Sequence, residues 1–258
     1  VLHTFFIAAL NILFLVVFKG GIEGYLNAYI IANILTATYA LIMGKGYRSF
    51  SFSGVDKKLL QRMIKYSIVL IPNSFMWWIM NSSDRVMVTA MVGSAANGIY
   101  AISYKLPTLI STLTGIFNQA WGYSAIRENG AEDESEYNNG VFKSLISIAM
   151  LMGIGLITIM KPFLSIYVEK SYYVAWKYTP FLVIGCVYLT LGTFMSTTYN
   201  VHKDSKGFLI SATIGAVVNI GLNFLLIPKF RVYGAAIATC ISYIVVFLFR
   251  YFHTRKYI

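Results

Sequence analysis

Eight apolar runs, most of them close to the twenty or so residues that a bilayer core requires of a helix, occupy most of the sequence. They lie near residues 1–18, 24–43, 65–92, 94–123, 141–160, 179–200, 207–227 and 234–252. What remains cannot furnish the surface of a soluble domain. Charged residues are 12% of the 258 and hydrophobic ones 57%, whereas soluble domains carry about a quarter charged. In lipid every backbone polar group must be satisfied internally, and runs of this length do so as helices. The expected fold class is all-α and integral to the membrane, with about eight transmembrane helices.

The formal net charge of +11 does not point to nucleic acid, which calls for basic residues clustered on one water-facing surface. Here the cations fall in short loops between apolar runs. Counted by alternate loops, thirteen Lys and Arg lie on one side, including Arg62, Lys65, Lys143, Lys203, Lys206 and Arg250. Six lie on the other, Lys19, Lys161, Lys170, Lys177, Lys229 and Arg231. The richer side is expected to be cytoplasmic, which places the C-terminus inside. The chain opens Val1-Leu2-His3 within an apolar run. That argues against a signal peptide and suggests that an N-terminal part is missing.

Residues 44–63 form the longest hydrophilic connection, expected to be a cytoplasmic linker between residues 1–43 and a second lobe at 64–258. Leu59, Leu60, Met63 and Ile64 oppose Lys57, Lys58, Arg62 and Lys65, which reads either as an interfacial amphipathic helix against anionic lipid or as a solvated linker. The acidic stretch 128–139 reads as a solvated loop rather than a metal site. Cys186 and Cys240 lie inside expected spans and read as small buried hydrophobes. No metal constellation, nucleotide loop or nucleophile motif is present, so no cofactor and no catalytic residues are expected.

The residues that could carry chemistry are polar ones placed in lipid. On a helix, Asn73, Trp77, Asn81 and Asp84 recur on one broad face, with Trp78 and Arg85 beside them; Tyr100, Tyr104 and Lys105 follow on the next span. Counting inward from the turn at Gly93-Ser94, Arg85 is about 12 Å and Lys105 about 17 Å deep. A charge at such depth costs about 2.5–3.5 kcal/mol on insertion scales, so these positions imply a polar cavity. Asp84 is expected to pair with Lys105 across two helices, leaving surplus positive charge that suits a phosphate or pyrophosphate. The alternatives are that Asp84 locks helices together or couples transport to an ion, and that Trp77 and Trp78 pack between helices or stack on sugars. Pro72 and Pro107 are expected to kink their spans. Ser211, Gly215, Asn219 and Asn223, at every fourth residue, read as a close helix contact with interhelical hydrogen bonds.

The run PNSFMWWIMNSSDRVMVTAMVGSAANGIYAISYKLPTLI (72–110), with FNQAWGYSAIRE (117–128) and IPKFRVYGAAIAT (227–239), resembles bacterial polysaccharide flippases. These are the O-antigen and capsule repeat-unit exporters of the multidrug/oligosaccharidyl-lipid/polysaccharide superfamily. The resemblance implies two six-helix lobes, with 1–43 the last two helices of the first and 64–258 the whole of the second. It also implies export of undecaprenyl-pyrophosphate-linked oligosaccharide across the bacterial inner membrane, with bilayer lipids and the polymerase and chain-length machinery as partners. On that reading Arg85 and Lys105 would hold the pyrophosphate. Asn73, Trp77, Trp78, Asn81, Tyr100 and Tyr104 would line the sugar cavity, with Asp84 coupling an ion or locking helices. A drug/cation antiporter of the same superfamily, or a membrane glycosyltransferase or polymerase, are the alternatives.

Overall fold

The computed structural model describes residues 2–45, 56–128, 130–131 and 133–257. The central part of the 44–63 connection, with Arg48, lies outside the described residues, as does Glu132. Nine α-helices and no strand occur among the described residues. They are α1 (Leu2–Asn11), α2 (Gly21–Met43), α3 (Lys57–Met91), α4 (Ser94–Ser103), α5 (Pro107–Arg127), α6 (Glu134–Tyr167), α7 (Thr179–Val201), α8 (Ser205–Phe230) and α9 (Val232–Thr254). The chain is an all-α integral membrane protein. Five of the helices, α2, α6, α7, α8 and α9, are long and apolar enough to cross a bilayer.

Two compact units divide the chain, Val1–Gln61 and Arg62–Ile258. In the first, α1 runs through a π-helical segment at Ile12–Val17 and turns back into α2. Gly24, Ala28 and Ala32 are the buried residues of α2. Their four-residue spacing is the small-residue seam that lets two membrane helices approach closely; a methyl group on Gly24 would stand 3.0 Å from the Phe14 carbonyl oxygen.

In the second unit α7 is the most interior helix, with over half of its residues buried, packed against α5, α6 and α9. Its apolar residues join three core clusters, among them Leu182 with Val88, Tyr100 and Ile227, and Leu191 and Phe194 with Trp121 and Leu145. The faces turned to lipid need no polar cover. Phe224 and Leu225, for instance, stay exposed on α8.

Pro72 lies inside α3, whereas Pro107 opens α5 at its first turn, where its missing N–H costs nothing. The fourth span is therefore two helices joined at Tyr104–Leu106. The basic segment from Lys57 is no separate interfacial helix, since α3 runs from it through to Met91. The acidic stretch is part loop and part helix: α6 begins at Glu134 with Glu134 and Glu136 in its first turn, where negative charge complements the helix dipole. Arg250, assigned by sequence to a cytoplasmic loop, lies inside α9 and is fully buried. Without it the loop counts stand at twelve to six, so the orientation argument is unchanged.

The tightest backbone approach is at the α8–α9 turn. Arg231 adopts φ 52°, and α9 returns so closely that a Cβ on Gly234 would overlap the backbone of Leu226 and stand 2.7 Å from the Ile227 nitrogen. Backbone cannot move aside as a side-chain tip can. Gly234→Ala is expected to destabilise the second unit by about 1–3 kcal/mol, measured as a lowered thermal midpoint of the purified protein.

Candidate functional site

Asp84 is 1% exposed, and three donors from three helices converge on its carboxylate. Tyr100 of α4 donates its hydroxyl at 2.9 Å and Asn223 of α8 its amide at 2.6 Å, while the Thr239 hydroxyl of α9 makes a short contact to the same oxygen as Tyr100. A second layer surrounds these. Asn219 is fully buried, and its side-chain oxygen accepts from Asn223 at 3.1 Å and from the Ser83 hydroxyl at 2.7 Å. A buried carboxylate is tolerable only when its lone pairs are taken, and here α4, α8 and α9 supply the partners.

The cluster forms because the turns fix depth. Asp84 lies nine residues before the Gly93 turn; Asn223 and Thr239 each lie eight residues from Arg231. At 1.5 Å per residue all three reach about 12–14 Å from their turns, so α3, α8 and α9 present them at similar depth. Asn219 and Asn223 thus make the interhelical hydrogen bonds expected of their stripe, and they make them to the Asp84 cluster.

The expected Asp84–Lys105 pair does not form. Among the described residues the ion pairs are Arg127–Glu128 and Lys256–Asp204. Neutral donors satisfy Asp84 because they lie at its depth on helices packed around it. Lys105 instead sits in the turn between α4 and α5 with its side chain exposed. Arg85 is exposed too, with its guanidinium carbon 5.8 Å from the Tyr104 ring centre. Tyr104 meets Tyr100 edge-on at 5.3 Å, so aromatic rings connect the Arg85 surface to the buried carboxylate.

The remaining sequence-selected residues divide. Tyr100 and Asn73 are buried among protein side chains. Asn81 is exposed, donates to the Trp77 carbonyl at 2.7 Å and accepts from the Tyr243 hydroxyl at 3.0 Å. Trp78 is 62% exposed and stacks on Phe75 at 5.9 Å. Trp77 is half-buried, facing the guanidinium of Arg250 at 5.1 Å. Arg250 was not selected by sequence. It donates to the Ser211 hydroxyl at 3.0 Å and the Gly192 carbonyl at 2.8 Å, with Phe208 on its other side, while its second terminal nitrogen is unpaired.

Near the Arg250 end of the bundle the helix ends are tied by Asp204, which caps α8 through the Gly207 N–H at 2.9 Å. Partial burial would raise this carboxyl. Hydrogen bonds from the Tyr257 hydroxyl, the Gly207 N–H and Lys256 outweigh that and hold it below the ordinary carboxylate value of 3.8.

The fold so described has solved counterparts. The structure superposes on membrane transporters of the multidrug/oligosaccharidyl-lipid/polysaccharide superfamily over 99% of its length. One is the Vibrio cholerae MATE transporter VcmN, at 13% identity with a TM-score of 0.79. Another is a multidrug-resistance MATE family transporter in an outward-facing conformation, at 14% and 0.74. A third is a Pyrococcus furiosus member described as having a binding pocket of reversed polarity, at 14% and 0.74. The chain spans 60% of the length of each, and the likeness establishes the fold.

Two family descriptions match the sequence itself, polysaccharide biosynthesis protein over residues 1–122 and lipid II flippase MurJ over residues 184–258. No curated protein matches the chain. Each family description covers less than half of the chain, and the structural likeness carries the fold.

Proposed function

We propose that this chain belongs to a transporter that moves undecaprenyl-pyrophosphate-linked oligosaccharide repeat units across the bacterial inner membrane by alternating access, for O-antigen or capsule synthesis. The observation that carries the reading is how charge is apportioned. Asp84 is satisfied inside the bundle by neutral donors, so it does not neutralise Arg85 or Lys105. Both cations are exposed at depths where lipid alone would not tolerate them. Two cations without a facing carboxylate among the described residues suit a pyrophosphate, and a net basic surface disfavours a cationic drug.

Arg85 and Lys105 draw in the pyrophosphate, while Asn81 and Trp78, the exposed members of the expected sugar set, contact the oligosaccharide and Tyr104 backs Arg85. Trp77, Asn73 and Tyr100 hold the wall on which these residues stand. Asp84 is the candidate coupling residue: the Tyr100 and Thr239 hydroxyls lie on its carboxylate, and a carboxylate among oxygens within a membrane bundle is where a proton or a small cation exchanges. The cation-rich loops face the cytoplasm, and the translocated repeat unit passes to the polymerase and chain-length machinery.

Arg85→Ala and Lys105→Ala are each expected to lower surface polysaccharide at least tenfold in the source bacterium, with the pyrophosphate-linked intermediate accumulating. Wild-type levels of both in either variant would remove the phosphate-binding role.

A further inference from the structure

The second unit carries a group of cations that the transport reading does not use. Arg62, Lys65 and Val69 stand at i, i+3 and i+7 on one face of α3, and with Lys203, Asp204 and Lys206 of the α7–α8 turn they line a cleft of about 380 Å3. Four cations therefore face one carboxylate. That carboxylate is already engaged, accepting from the Tyr257 hydroxyl at 2.6 Å, the Gly207 N–H at 2.9 Å and Lys256 at 3.4 Å. None of the four lining cations makes an ion pair among the described residues. Like charges gathered at one place repel, so the arrangement is favourable only when an anion occupies it.

The anion's chemistry follows from what adjoins the cleft. Ile64, Ile68 and Ile71, at i, i+4 and i+7, run along α3 one residue ahead of the cationic face and are 54%, 60% and 68% exposed. Neighbouring residues on a helix are turned about 100° apart, so a cationic stripe and an apolar stripe lie side by side along one helix. A free phosphate would use the first stripe only. A lipid bearing a phosphate uses both, its headgroup among the lysines and its acyl chain along the isoleucines.

We infer that the cleft between the start of α3 and the α7–α8 turn is a binding site for the phosphate headgroup of an anionic membrane lipid. The site is separate from Arg85 and Lys105 and does not depend on what the protein transports. A lipid held there would bridge α3 to the α7–α8 turn.

Native mass spectrometry of the full chain in mild detergent tests this, with phosphatidylglycerol and phosphatidylcholine offered at equal concentration. Phosphatidylglycerol is expected to be retained preferentially. A cation near a lipid surface contributes about fivefold to the attraction of an anionic headgroup, so Lys203→Gln with Lys206→Gln should weaken retention about 25-fold. Lys143→Gln, which removes an exposed cation outside the cleft, should change it less than about twofold. Equal retention of the two lipids, or wild-type retention by the double variant, would overturn the inference. So would a loss on Lys143→Gln as large as that of the double variant. Displacement of the phospholipid by inorganic phosphate at equal concentration would show that the cleft takes free phosphate instead.

Discussion

Asp84→Ala is expected to abolish transport and lower the stability of the second unit by about 2–4 kcal/mol, as buried donors lose an acceptor at 1–3 kcal/mol each. The cost stays below the full sum because Asn223 keeps its bond to Asn219 and Thr239 can turn to the Ala235 carbonyl. Asp84→Asn separates the two roles open to this residue. The amide keeps the volume and one acceptor but must point an N–H toward the existing donors, a cost of about 1–2 kcal/mol. If Asp84 couples transport to an ion, the Asn variant stays folded and its transport no longer responds to the ion gradient. If Asp84 only locks helices, Asn restores gradient-driven transport in proportion to its recovered thermal midpoint. A thermal melt beside a gradient-dependent transport assay distinguishes the outcomes.

The second large effect is at Arg250, and its direction depends on the substitution. The guanidinium is fully buried and pairs with no carboxylate among the described residues. It has two hydrogen bonds, two flanking rings and one unpaired nitrogen. Desolvating such a cation costs several kcal/mol, which those contacts only partly offset. Arg250→Met keeps the bulk between Trp77 and Phe208 and removes the charge, so stability is expected to hold within about 1 kcal/mol or to rise. Arg250→Ala opens a cavity at the same place and should cost about 2–4 kcal/mol. Thermal melts of the two variants provide the check. A Met variant as unstable as the Ala variant would show that the charge itself holds α7, α8 and α9 together.

Apolar run length carried most of the fold, because lipid enforces helices wherever twenty apolar residues recur. It failed where punctuation is ambiguous. Pro72 and Pro107 look alike in sequence, yet one is absorbed within α3 and the other starts α5. Which of two prolines ends a helix depends on the packing around it and is not a local property of the sequence. The site was half legible. Asp84 stood out as a carboxylate in lipid, but a charge-based reading sought a charged partner and chose Lys105. The partners are neutral, and the signal that identifies them is matched distance from the turns of α3, α8 and α9. Arg250 falls within the apolar run 234–252 and yet counts as a loop cation when arginines are taken as orientation signals. The aromatic and apolar residues on both sides of it, Phe247 to Phe249 and Tyr251 to Phe252, indicate that the helix continues past it.

The central claim is that the protein moves a pyrophosphate-linked oligosaccharide without altering it. The most direct measurement is deletion of the gene in the organism that carries it, followed by mass analysis of the lipid-linked intermediates and of surface polysaccharide. The account predicts that complete repeat units of unchanged mass build up on the carrier lipid while surface polysaccharide falls. Intermediates of truncated or altered mass, or wild-type levels of both pools, would contradict it.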